Sequence, residues 1–353
     1  MKHDVVVRAV TFFTGKVNSL PELEEEIACA RDILGRVERA ITSRGYGVFT
    51  KRISLPGVTE HLASRLLDYV DGEVLISTGY SPLLKREDVV ELVVSGIYVP
   101  ILHVGEPSLD SAREYSRVFH EASRVDPLAA TRISVGFHDA GFQTPYFPDS
   151  SSPGQRAVGL AFLYPKYLLR LLESGVGLEA AFKETFAELH EVVDVVKKVA
   201  GLPVVVDYSL SPWMDHSVAE LYSKGGHSLL GPGALYFTWL LNHYIDLFSD
   251  KSLKTGFSEV MLPYAEDSLL VDYGARGLLK ARDFLMLASA CVAGVDMLIV
   301  PEDVEALAEL TASTMALAYT RLKKIALRVI PVQGKPGDTV DLKRFGRVPV
   351  LPY

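Results

Sequence analysis

The sequence predicts an α/β fold in which a parallel or mixed sheet carries its helices on the outside. Short segments rich in β-branched residues alternate with amphipathic helical segments over the whole chain of 353 residues. Hydrophobic residues make up 48% of the chain and charged residues 23%, which allows a sizeable core and excludes wholesale disorder. At roughly 150 residues per domain, this length corresponds to about two domains or to one large α/β unit.

The predicted strands are short apolar runs bounded by turn residues. They number roughly ten, more than the eight strands of the common α/β barrel, and suit either a large open sheet or a larger barrel. The predicted strands lie at residues 5–13, 48–53, 74–77, 98–102, 132–137, 157–163, 203–207, 259–262, 297–300 and 326–332. The strand at 203–207 is almost continuously apolar, which is typical of a strand buried on both faces.

Helices are predicted where apolar residues recur every three or four positions. The predicted helices lie at residues 21–44, 59–69, 86–95, 110–124, 177–200, 282–293 and 304–324, with two more after residue 207, the second opening near Gly233. Residues 143–155 are rich in Pro, Ser and Gly and form the predicted internal break in this alternation. They could be a linker, but their aromatic residues favour a folded loop.

Composition and charge exclude several classes of function. The net charge of −8 argues against general binding to nucleic acid or to anionic membranes. Neither a secretory signal nor a bilayer-spanning segment is predicted, so we expect a cytoplasmic protein. Two cysteines, Cys29 and Cys291, cannot build a disulfide framework, and separate buried thiols are favoured over a pair. Only two Asn and three Gln occur, which is typical of thermophile proteins, and a homodimer is possible.

The first candidate functional segment, residues 138–148, directly follows the predicted strand at 132–137. Strand ends of parallel α/β folds face the ligand crevice, so His138, Thr144 and Tyr146 are candidate ligand-binding residues. Prolines on both sides of two aromatic residues restrict the shape of this segment. The segment therefore predicts either a rigid, aromatic-walled pocket or a packed surface loop.

The next two candidate segments combine polar residues and glycines. Asp207 and Ser209, at the end of the strand 203–207, could hold a metal, a sugar or an amine, or could serve as a helix N-cap. Gly231 belongs to a glycine-rich run, 225–233, ahead of a helix, where backbone amides could bind an anion. This run lacks the spacing of a nucleotide-binding fingerprint, so an ordinary turn is the alternative.

The last two candidate segments carry acids and a thiol. Glu266 and Asp267 follow the predicted strand at 259–262 and could act as acid, base or metal ligand, or could stabilise a helix start. Cys291 ends an apolar helix shortly before Asp296. Cys291 is therefore a candidate nucleophile or pocket thiol. The alternative is an inert buried side chain, because a helix carboxyl end does not lower a thiol pKa.

Several of these segments resemble, in the same order, motifs of the domain-of-unknown-function family seven-one-one. The matching residues are Val7-Arg8-Ala9-Val10-Thr11, Thr144-Pro145-Tyr146-Phe147-Pro148, Asp207-Tyr208-Ser209-Leu210-Ser211-Pro212, Ser217-Val218-Ala219-Glu220, Leu262-Pro263-Tyr264-Ala265-Glu266-Asp267-Ser268, Cys291 to Asp296, and Pro331-Val332-Gln333-Gly334-Lys335. The matches span almost the whole chain. Pro301-Glu302-Asp303 and Asp149-Ser150 depart from the family pattern.

The resemblance implies one α/β barrel of about ten strands over residues 1–353, related to pyruvate formate-lyase and other glycyl radical enzymes. It implies no assigned reaction, and it leaves the cofactor and any metal unknown. In the radical enzymes a cysteine becomes a thiyl radical and a carboxyl-terminal glycine stores the radical. Here Pro349 and Val350 occupy the places of the small residue and the glycine, so a glycyl radical is not expected.

Two hypotheses of function remain. The first is an enzyme that acts without a radical on a small polar metabolite in a pocket at the strand ends. Asp207, Glu266 and Asp267 would supply acid–base or metal-binding groups and Cys291 a nucleophile or pocket thiol. The second is a non-catalytic ligand-binding or regulatory protein on the same barrel. Perturbed carboxylates around a polar cavity would favour the enzyme, whereas a sealed apolar interior would favour the second hypothesis.

Overall fold

Two larger mixed sheets and the helices that cover them form the structure, a computed structural model that describes residues 4–291 and 295–353. The strands are β1 (Val6–Phe13), β2 (Gly47–Val48), β3 (Lys51–Ser54), β4 (Val74–Ser77), β5 (Val99–Leu102), β6 (Ile133–Phe137), β7 (Ala157–Leu163), β8 (Val204–Asp207), β9 (Val295–Pro301), β10 (Ile325–Val332), β11 (Thr339–Asp341) and β12 (Arg347–Pro349). The predicted α/β class is therefore confirmed.

The helices follow the strands in the alternation that the sequence predicts. They are α1 (Leu20–Ser43), α2 (Glu60–Arg65), α3 (Arg86–Val94), α4 (Leu109–Val125), α5 (Pro127–Ala130), α6 (Pro165–Glu173), α7 (Leu178–Ala200), α8 (Ala219–Lys224), α9 (Ala234–Phe248), α10 (Ser268–Ala275), α11 (Asp283–Ala288) and α12 (Val304–Arg321). Short 3₁₀ helices lie at Leu66–Tyr69, Tyr264–Glu266 and Lys343–Phe345.

The first sheet has the strand order β4-β3-β1-β7-β8, and β2 also pairs with β1. Strands β1, β3 and β4 are parallel, whereas β7 runs antiparallel to β1 and parallel to β8. The second sheet has the order β5-β6-β10-β9, in which β10 is antiparallel to β6 and parallel to β9. A parallel bridge between Ser77 and Tyr98 connects β4 to the residue before β5, so the two sheets are neighbours.

The long helices pack on these sheets through one apolar face each. The buried positions of α1 recur every three or four residues, as in Leu23, Ile27 and Ala30. The helix begins at Ser19, whose hydroxyl accepts a hydrogen bond from the Glu22 amide. Helices α1 and α7 contact each other and the first sheet, whereas α4 and α12 contact each other and β10.

Residues 143–155 form a folded loop, as the aromatic content of this stretch predicts, and not a linker. The loop is joined to the carboxyl ends of first-sheet strands. Ser150 Oγ donates a 2.9 Å hydrogen bond to Oγ of Ser54, the last residue of β3. Ser77, the last residue of β4, donates a 2.8 Å hydrogen bond to the Ser150 carbonyl. The loop thus occupies the crevice at these strand ends.

A β-bulge interrupts the ladder of each larger sheet beside a charged residue. On β1, Val7 and Ala9 pair with consecutive residues of β7, so Arg8 between them is the extra residue. On β9, Met297 is the extra residue opposite β10, and its φ of 55° lies in the left-handed region. A bulge turns the side chains beside it into a new direction, and bulges are frequent next to functional sites.

One predicted strand is wrong. Residues 259–262 form no strand but only isolated bridge positions, one of which pairs Val260 with Leu210. Gly256 and Ser258, just before it, have φ values of 63° and 50°, which bend the chain away from an extended path. The predicted strand at 48–53 is divided into β2 and β3, and the other predicted strands are present.

The helix predictions differ from the structure in several places: α5 and α10 were not predicted, and the helix predicted at 59–69 is divided into α2 and a 3₁₀ helix. The helix predicted at 282–293 ends at Ala288, and residues 292 and 293 lie outside the described part of the chain. Helix α6, which begins with a proline directly after β7, was not expected from the pattern. None of the helices in the described ranges combines the length and the apolar character that a membrane crossing requires.

Gly79→Ala is expected to lower the free energy of unfolding by on the order of 3 kcal/mol, because its Cβ would collide with backbone. Gly79 follows β4 with a φ of 66°, and a Cβ there would lie 2.0 Å from the Leu55 carbonyl oxygen. Urea unfolding measures the loss. The matched control is Gly72→Ala, since Gly72 has a φ of 80° with nothing within 4 Å of its Cβ, and should cost about 1–2 kcal/mol. Equal losses in the two variants would contradict this account.

Candidate functional site

A polar cavity, here called the central cavity, opens between the two larger sheets. It contains about 770 Å³ of space, part of it open to solvent. Its walls come from strands of both sheets, from the 143–155 loop and from the segments that follow β8 and α9. The ionisable acids and arginines that line it are Arg8, Arg52, Arg328, Arg344, Asp149, Glu266 and Asp296.

Four of these side chains, Arg8, Glu266, Arg328 and Asp296, form an ionic cluster. Glu266 lies between two arginines, since Oε2 accepts a hydrogen bond from Arg8 and Oε1 accepts one of 2.9 Å from Nη2 of Arg328. Arg328 also donates to both oxygens of Asp296, at 2.6 and 2.8 Å. Glu266 is only 3% exposed, so water screens these ion pairs weakly.

The backbone explains why these four side chains meet. Arg328 of β10 and Asp296 of β9 are directly paired residues of parallel strands, at the register shift that Met297 creates. Arg8 is itself the bulged residue of β1. Glu266 is the last residue of a 3₁₀ helix that contacts β9. Two local irregularities thus bring charged strand residues into one place.

The arginines determine the protonation of the acids in the ionic cluster. Burial raises the pKa of Glu266, but the charges of Arg328 and Arg8 outweigh it and hold that pKa below its usual range. Burial raises the pKa of Asp296, and the charge of Arg328 opposes this only in part. Glu266 is therefore the permanently ionised member of the cluster.

Arg52 lies in the same cavity without an acidic partner. It is 7% exposed, and it donates hydrogen bonds to Thr50 Oγ1 at 2.9 Å and to the Pro145 carbonyl at 3.1 Å. Within residues 4–291 and 295–353 it forms no ion pair. Burial and the positive charge of Arg8 lower the pKa of Arg52 to about 9. An unmatched guanidinium in a cavity is a favourable position for an anion.

Arg344 lies at the exposed rim of the central cavity. Its Nη2 donates a 3.0 Å hydrogen bond to the Tyr98 hydroxyl, and its guanidinium lies 4.8 Å from the ring centre of Phe345. It too has no ion pair with any residue that the structure describes. The rim therefore carries a second guanidinium whose charge is not matched by a carboxylate.

Asp149 is the acid of the cavity whose protonation is poised near neutral pH. Burial and the negative charge of Asp296 raise the pKa of Asp149 to about 7, although Arg328 opposes the shift. Its Oδ1 makes no hydrogen bond of ordinary geometry in the described part of the chain. A carboxyl group with a pKa near 7 can both donate and accept a proton at physiological pH.

Aromatic rings lie against two of the three buried arginines, Arg8 and Arg52. The guanidinium of Arg8 lies 5.7 Å from the ring centre of Tyr146 and 5.5 Å from that of Trp213. The guanidinium of Arg52 lies 5.1 Å from the ring centre of Phe147. Such cation–π contacts stabilise a desolvated cation and orient it. The walls of the cavity thus hold the arginines in place while leaving their charge available.

Three of the residues that the sequence singled out line the central cavity together: Tyr146, Glu266 and Asp296. They come from three distant segments of the chain. The hydroxyl of Tyr146 lies 2.9 Å from Ser211 Oγ, in the segment that follows β8. The structure brings these three residues together, whereas of the four proposed catalytic residues, Asp207, Glu266, Asp267 and Cys291, only Glu266 lines the cavity.

Asp207, Thr144 and Ser209 form a hydrogen-bond network beside the cavity and do not line it. Asp207 accepts five hydrogen bonds, from the hydroxyl groups of Thr144 and Ser209 and from the amides of Ser209, Phe257 and Ser258. These donors use the lone pairs that a metal or a substrate would need. The network therefore has a structural role: it connects the end of β8 to the 143–155 loop.

Asp267 is likewise saturated by donors and lies outside the central cavity. It accepts hydrogen bonds from Ser217 Oγ and from four backbone amides at the starts of α8 and α10. It is therefore the cap of two helices, the alternative that acidic residues at a helix start leave open. Among the residues that the structure describes, no group of three or more His, Cys, Asp or Glu is arranged to hold a metal ion.

Cys291, His138 and Gly231 also lie away from the lining of the central cavity. Burial raises the pKa of the Cys291 thiol to about 12, so the thiol stays protonated. His138 lies against the ring of Phe142, with centroids 4.1 Å apart, and burial lowers its pKa to about 4. Gly231 donates its amide to the Ser228 carbonyl in a turn before α9.

The central cavity is lined from strand interiors, whereas the sequence analysis expected a pocket at the strand ends. Arg8 is the third residue of β1, Arg52 the second of β3, and Asp296 the second of β9. The physical reason is the 143–155 loop, which occupies the crevice at the ends of the first-sheet strands.

Sequence reasoning missed the arginines, although a signal was present. Arg8 and Arg328 each lie within an otherwise largely apolar strand, where a charged residue is costly unless it is paired or functional, whereas Arg52 follows Lys51 in the polar strand β3. Asp149 and Arg344 carry no such signal, because both lie in irregular or short polar segments. The lone charge in an apolar strand was therefore the most informative feature left unused.

Comparison with known proteins identifies relatives to which no activity is assigned. The family model described as Uncharacterised ACR (DUF711) matches residues 84–343, which confirms the resemblance drawn from the motifs. A UPF0210 protein of Lactobacillus helveticus is 26% identical over 267 residues, covering 69% of this chain and 60% of that protein. A UPF0210 protein of Oenococcus oeni is 26% identical over 81% of this chain and 70% of its own length. A UPF0210 protein of Pyrobaculum islandicum is 33% identical over 66% of this chain and 55% of that protein.

Glu266→Gln is expected to lower the free energy of unfolding at pH 7 by about 3–5 kcal/mol, because two buried arginines lose their shared counter-charge. The folded-state pKa of Glu266 is depressed, so its contribution is present above about pH 4.5, the ordinary value, and is lost as pH falls through the folded-state pKa. Urea unfolding of both proteins between pH 3.5 and 7 should show the difference shrinking towards low pH.

The control for this substitution is Glu25→Gln. Glu25 also pairs with an arginine, Arg156 at 3.0 Å, but its side chain is 73% exposed. Its loss should cost less than about 1 kcal/mol at every pH. A Glu266→Gln variant as stable as the control variant would contradict a central role for the ionic cluster.

Proposed function

The chain belongs to the uncharacterised DUF711 family, and we propose that it is an enzyme that binds a small anionic metabolite in the central cavity and transfers a proton through Asp149. The chain spans about 60% of the length of the first of its curated relatives, so this proposal concerns the site that the chain itself contains. In this proposal Arg52 and Arg8 bind the anionic group, and Asp149 acts as the acid or base.

The observation that carries the proposal is the unmatched charge of Arg52. A structural ion pair would bring its own carboxylate, as Arg328 does with Asp296. Arg52 instead lies near Arg8, and the positive charge of Arg8 makes the charged form of Arg52 less favourable. An anion between the two guanidinium groups would remove this repulsion. Groups that are electrostatically unfavourable without a ligand are typical of binding sites.

Asp149 supports an enzyme over a binding protein. A receptor for an anion gains nothing from a carboxyl group in the same cavity, because its negative charge weakens binding when it ionises. A carboxyl group with a pKa near 7 is instead suited to general acid–base catalysis. A non-catalytic ligand-binding protein remains the alternative function, and the polar character of the cavity supports it only in part.

The fold that we propose to support this site is a single barrel of ten strand positions over residues 1–353. Strands β1, β3, β4, β5 and β6 would form one parallel half and β7, β8, β9 and β10 most of the other. Isolated bridges from Val206 to Lys254 and from Leu210 to Val260 lie along β8 and the segment that follows it, where the tenth position would lie. The antiparallel pairs β1–β7 and β6–β10 would join the halves. This order fits the resemblance to the pyruvate formate-lyase barrel.

Arg52→Met is expected to change the free energy of unfolding by less than about 1 kcal/mol, because removing an unmatched buried charge offsets the hydrogen bonds that are lost. Arg328→Met, the matched control, should lose about 3–5 kcal/mol, since Asp296 then lacks its cation and Glu266 keeps only Arg8.

The two variants are compared by urea unfolding and by thermal melting in sodium sulfate and in sodium chloride of equal ionic strength. The wild type should gain more stability from sulfate than Arg52→Met does, and this excess measures binding in the cavity above the general effect of sulfate. Two equally destabilised variants, or an unchanged sulfate response in Arg52→Met, would refute the anion site.

Asp149→Asn is expected to lower turnover at least about 100-fold in a screen of carboxylate- and phosphate-bearing metabolites, while sulfate still binds. The wild type should bind sulfate about threefold to tenfold more weakly at pH 8 than at pH 6, because ionised Asp149 repels it. Burial also raises the pKa of Asp296, which faces Asp149, so Asp149→Asn should lose most, but not necessarily all, of the difference between the two pH values.

Two controls accompany this variant. Asp139→Asn removes an exposed aspartate near Lys324 and should keep both turnover and the pH dependence. Cys291→Ala should keep turnover, because the thiol is buried and protonated. A metabolite that is converted equally well by Asp149→Asn would exclude Asp149 as the acid or base.

A further inference from the structure

We propose that the ligand of the central cavity carries two separate acidic groups, one bound by Arg8 and Arg52 inside the cavity and the other by Arg344 at the rim. This inference rests on the proposed function, because it specifies the class of metabolite that the same site would take. A dicarboxylate is the simplest molecule of this class.

The balance of charge in the cavity is the first support. Arg8 and Arg328 are matched by Glu266 and Asp296, with which they form the ionic cluster. Arg52 and Arg344 remain without an acidic partner in the described residues. With Asp149 protonated, a ligand with one negative charge would leave one guanidinium unmatched, whereas a ligand with two would neutralise the site.

The separation of the two unmatched arginines is the second support. Arg52 is buried, and its guanidinium carbon lies 5.1 Å from the ring centre of Phe147, which in turn lies 5.1 Å from the ring centre of Tyr98. Arg344 is exposed and donates to the hydroxyl of Tyr98. Two aromatic side chains therefore connect the guanidinium groups. We therefore expect two carboxylates on a short chain to match the two guanidinium groups better than a single compact anion such as phosphate.

The fixed position of Arg344 is the third support. Long surface arginines usually sample many rotamers, and holding one costs entropy. Here the hydrogen bond to Tyr98 and the contact with Phe345 hold the guanidinium at the mouth of the cavity. The group is thus oriented towards whatever enters, and it can select between ligands that differ only at their far end.

The test is a calorimetric titration of the full chain with a matched series of anions at constant ionic strength. The probes are acetate, propanoate and inorganic phosphate, followed by malonate, succinate and glutarate. At least one dicarboxylate should bind about tenfold more tightly than the monocarboxylates and phosphate. Arg344→Gln should reduce its affinity to the monocarboxylate level and leave acetate binding unchanged.

The control variant is Arg347→Gln, which removes an exposed arginine three residues away on β12 and should change none of these affinities. Equal affinity for mono- and dicarboxylates, or an unchanged dicarboxylate affinity in Arg344→Gln, overturns this inference and leaves the proposed function standing. If phosphate binds most tightly and Arg344→Gln has no effect, the inference is wrong and the ligand is a single compact anion. Binding that persists in Arg52→Met, or no binding of any anion, overturns the proposed function itself.

Discussion

The contact of Glu266 with two arginines is the interaction on which the centre of this protein depends. Arg8 comes from the first sheet and Arg328 from the second, so one carboxylate joins the two sheets across their interior. Ion pairs in a buried place are costly to assemble, and their loss is costlier still because each partner is left charged. The cluster therefore fixes the distance between the sheets and, with it, the shape of the cavity. The unmatched arginines beside it are tolerable only because this framework is rigid.

The sequence predicted the fold class and the order of the elements well, since these depend on local periodicity. It failed at residues 259–262, where the apolar pattern suits a strand but the left-handed backbone of Ser258 bends the chain away. It found Glu266, Asp296 and Tyr146 by their places after or beside strands. It did not separate them from Asp207 and Asp267, because a capping carboxylate and a cavity carboxylate are identical in sequence. Only the number of donors around each oxygen distinguishes them.

The buried polar network around Asp207 supports the cavity without lining it. Its five hydrogen bonds hold the end of β8 and the 143–155 loop together, and that loop carries Tyr146 and Asp149 into the cavity. Gly256 takes part by its missing side chain, since a Cβ there would lie 2.0 Å from Asp207 Oδ2. A residue can therefore be indispensable to the cavity without touching a ligand.

The two β-bulges impose a constraint that resembles the reading frame of a gene. Side chains alternate between the two faces of a strand, so one residue more or fewer turns every following side chain to the opposite face. Arg8 and Met297 are each the single added residue of their strand. Removing either would exchange the inward and outward faces of β1 or β9 up to the end of the strand. The lengths of these two strands therefore cannot change by one residue without dismantling the cavity.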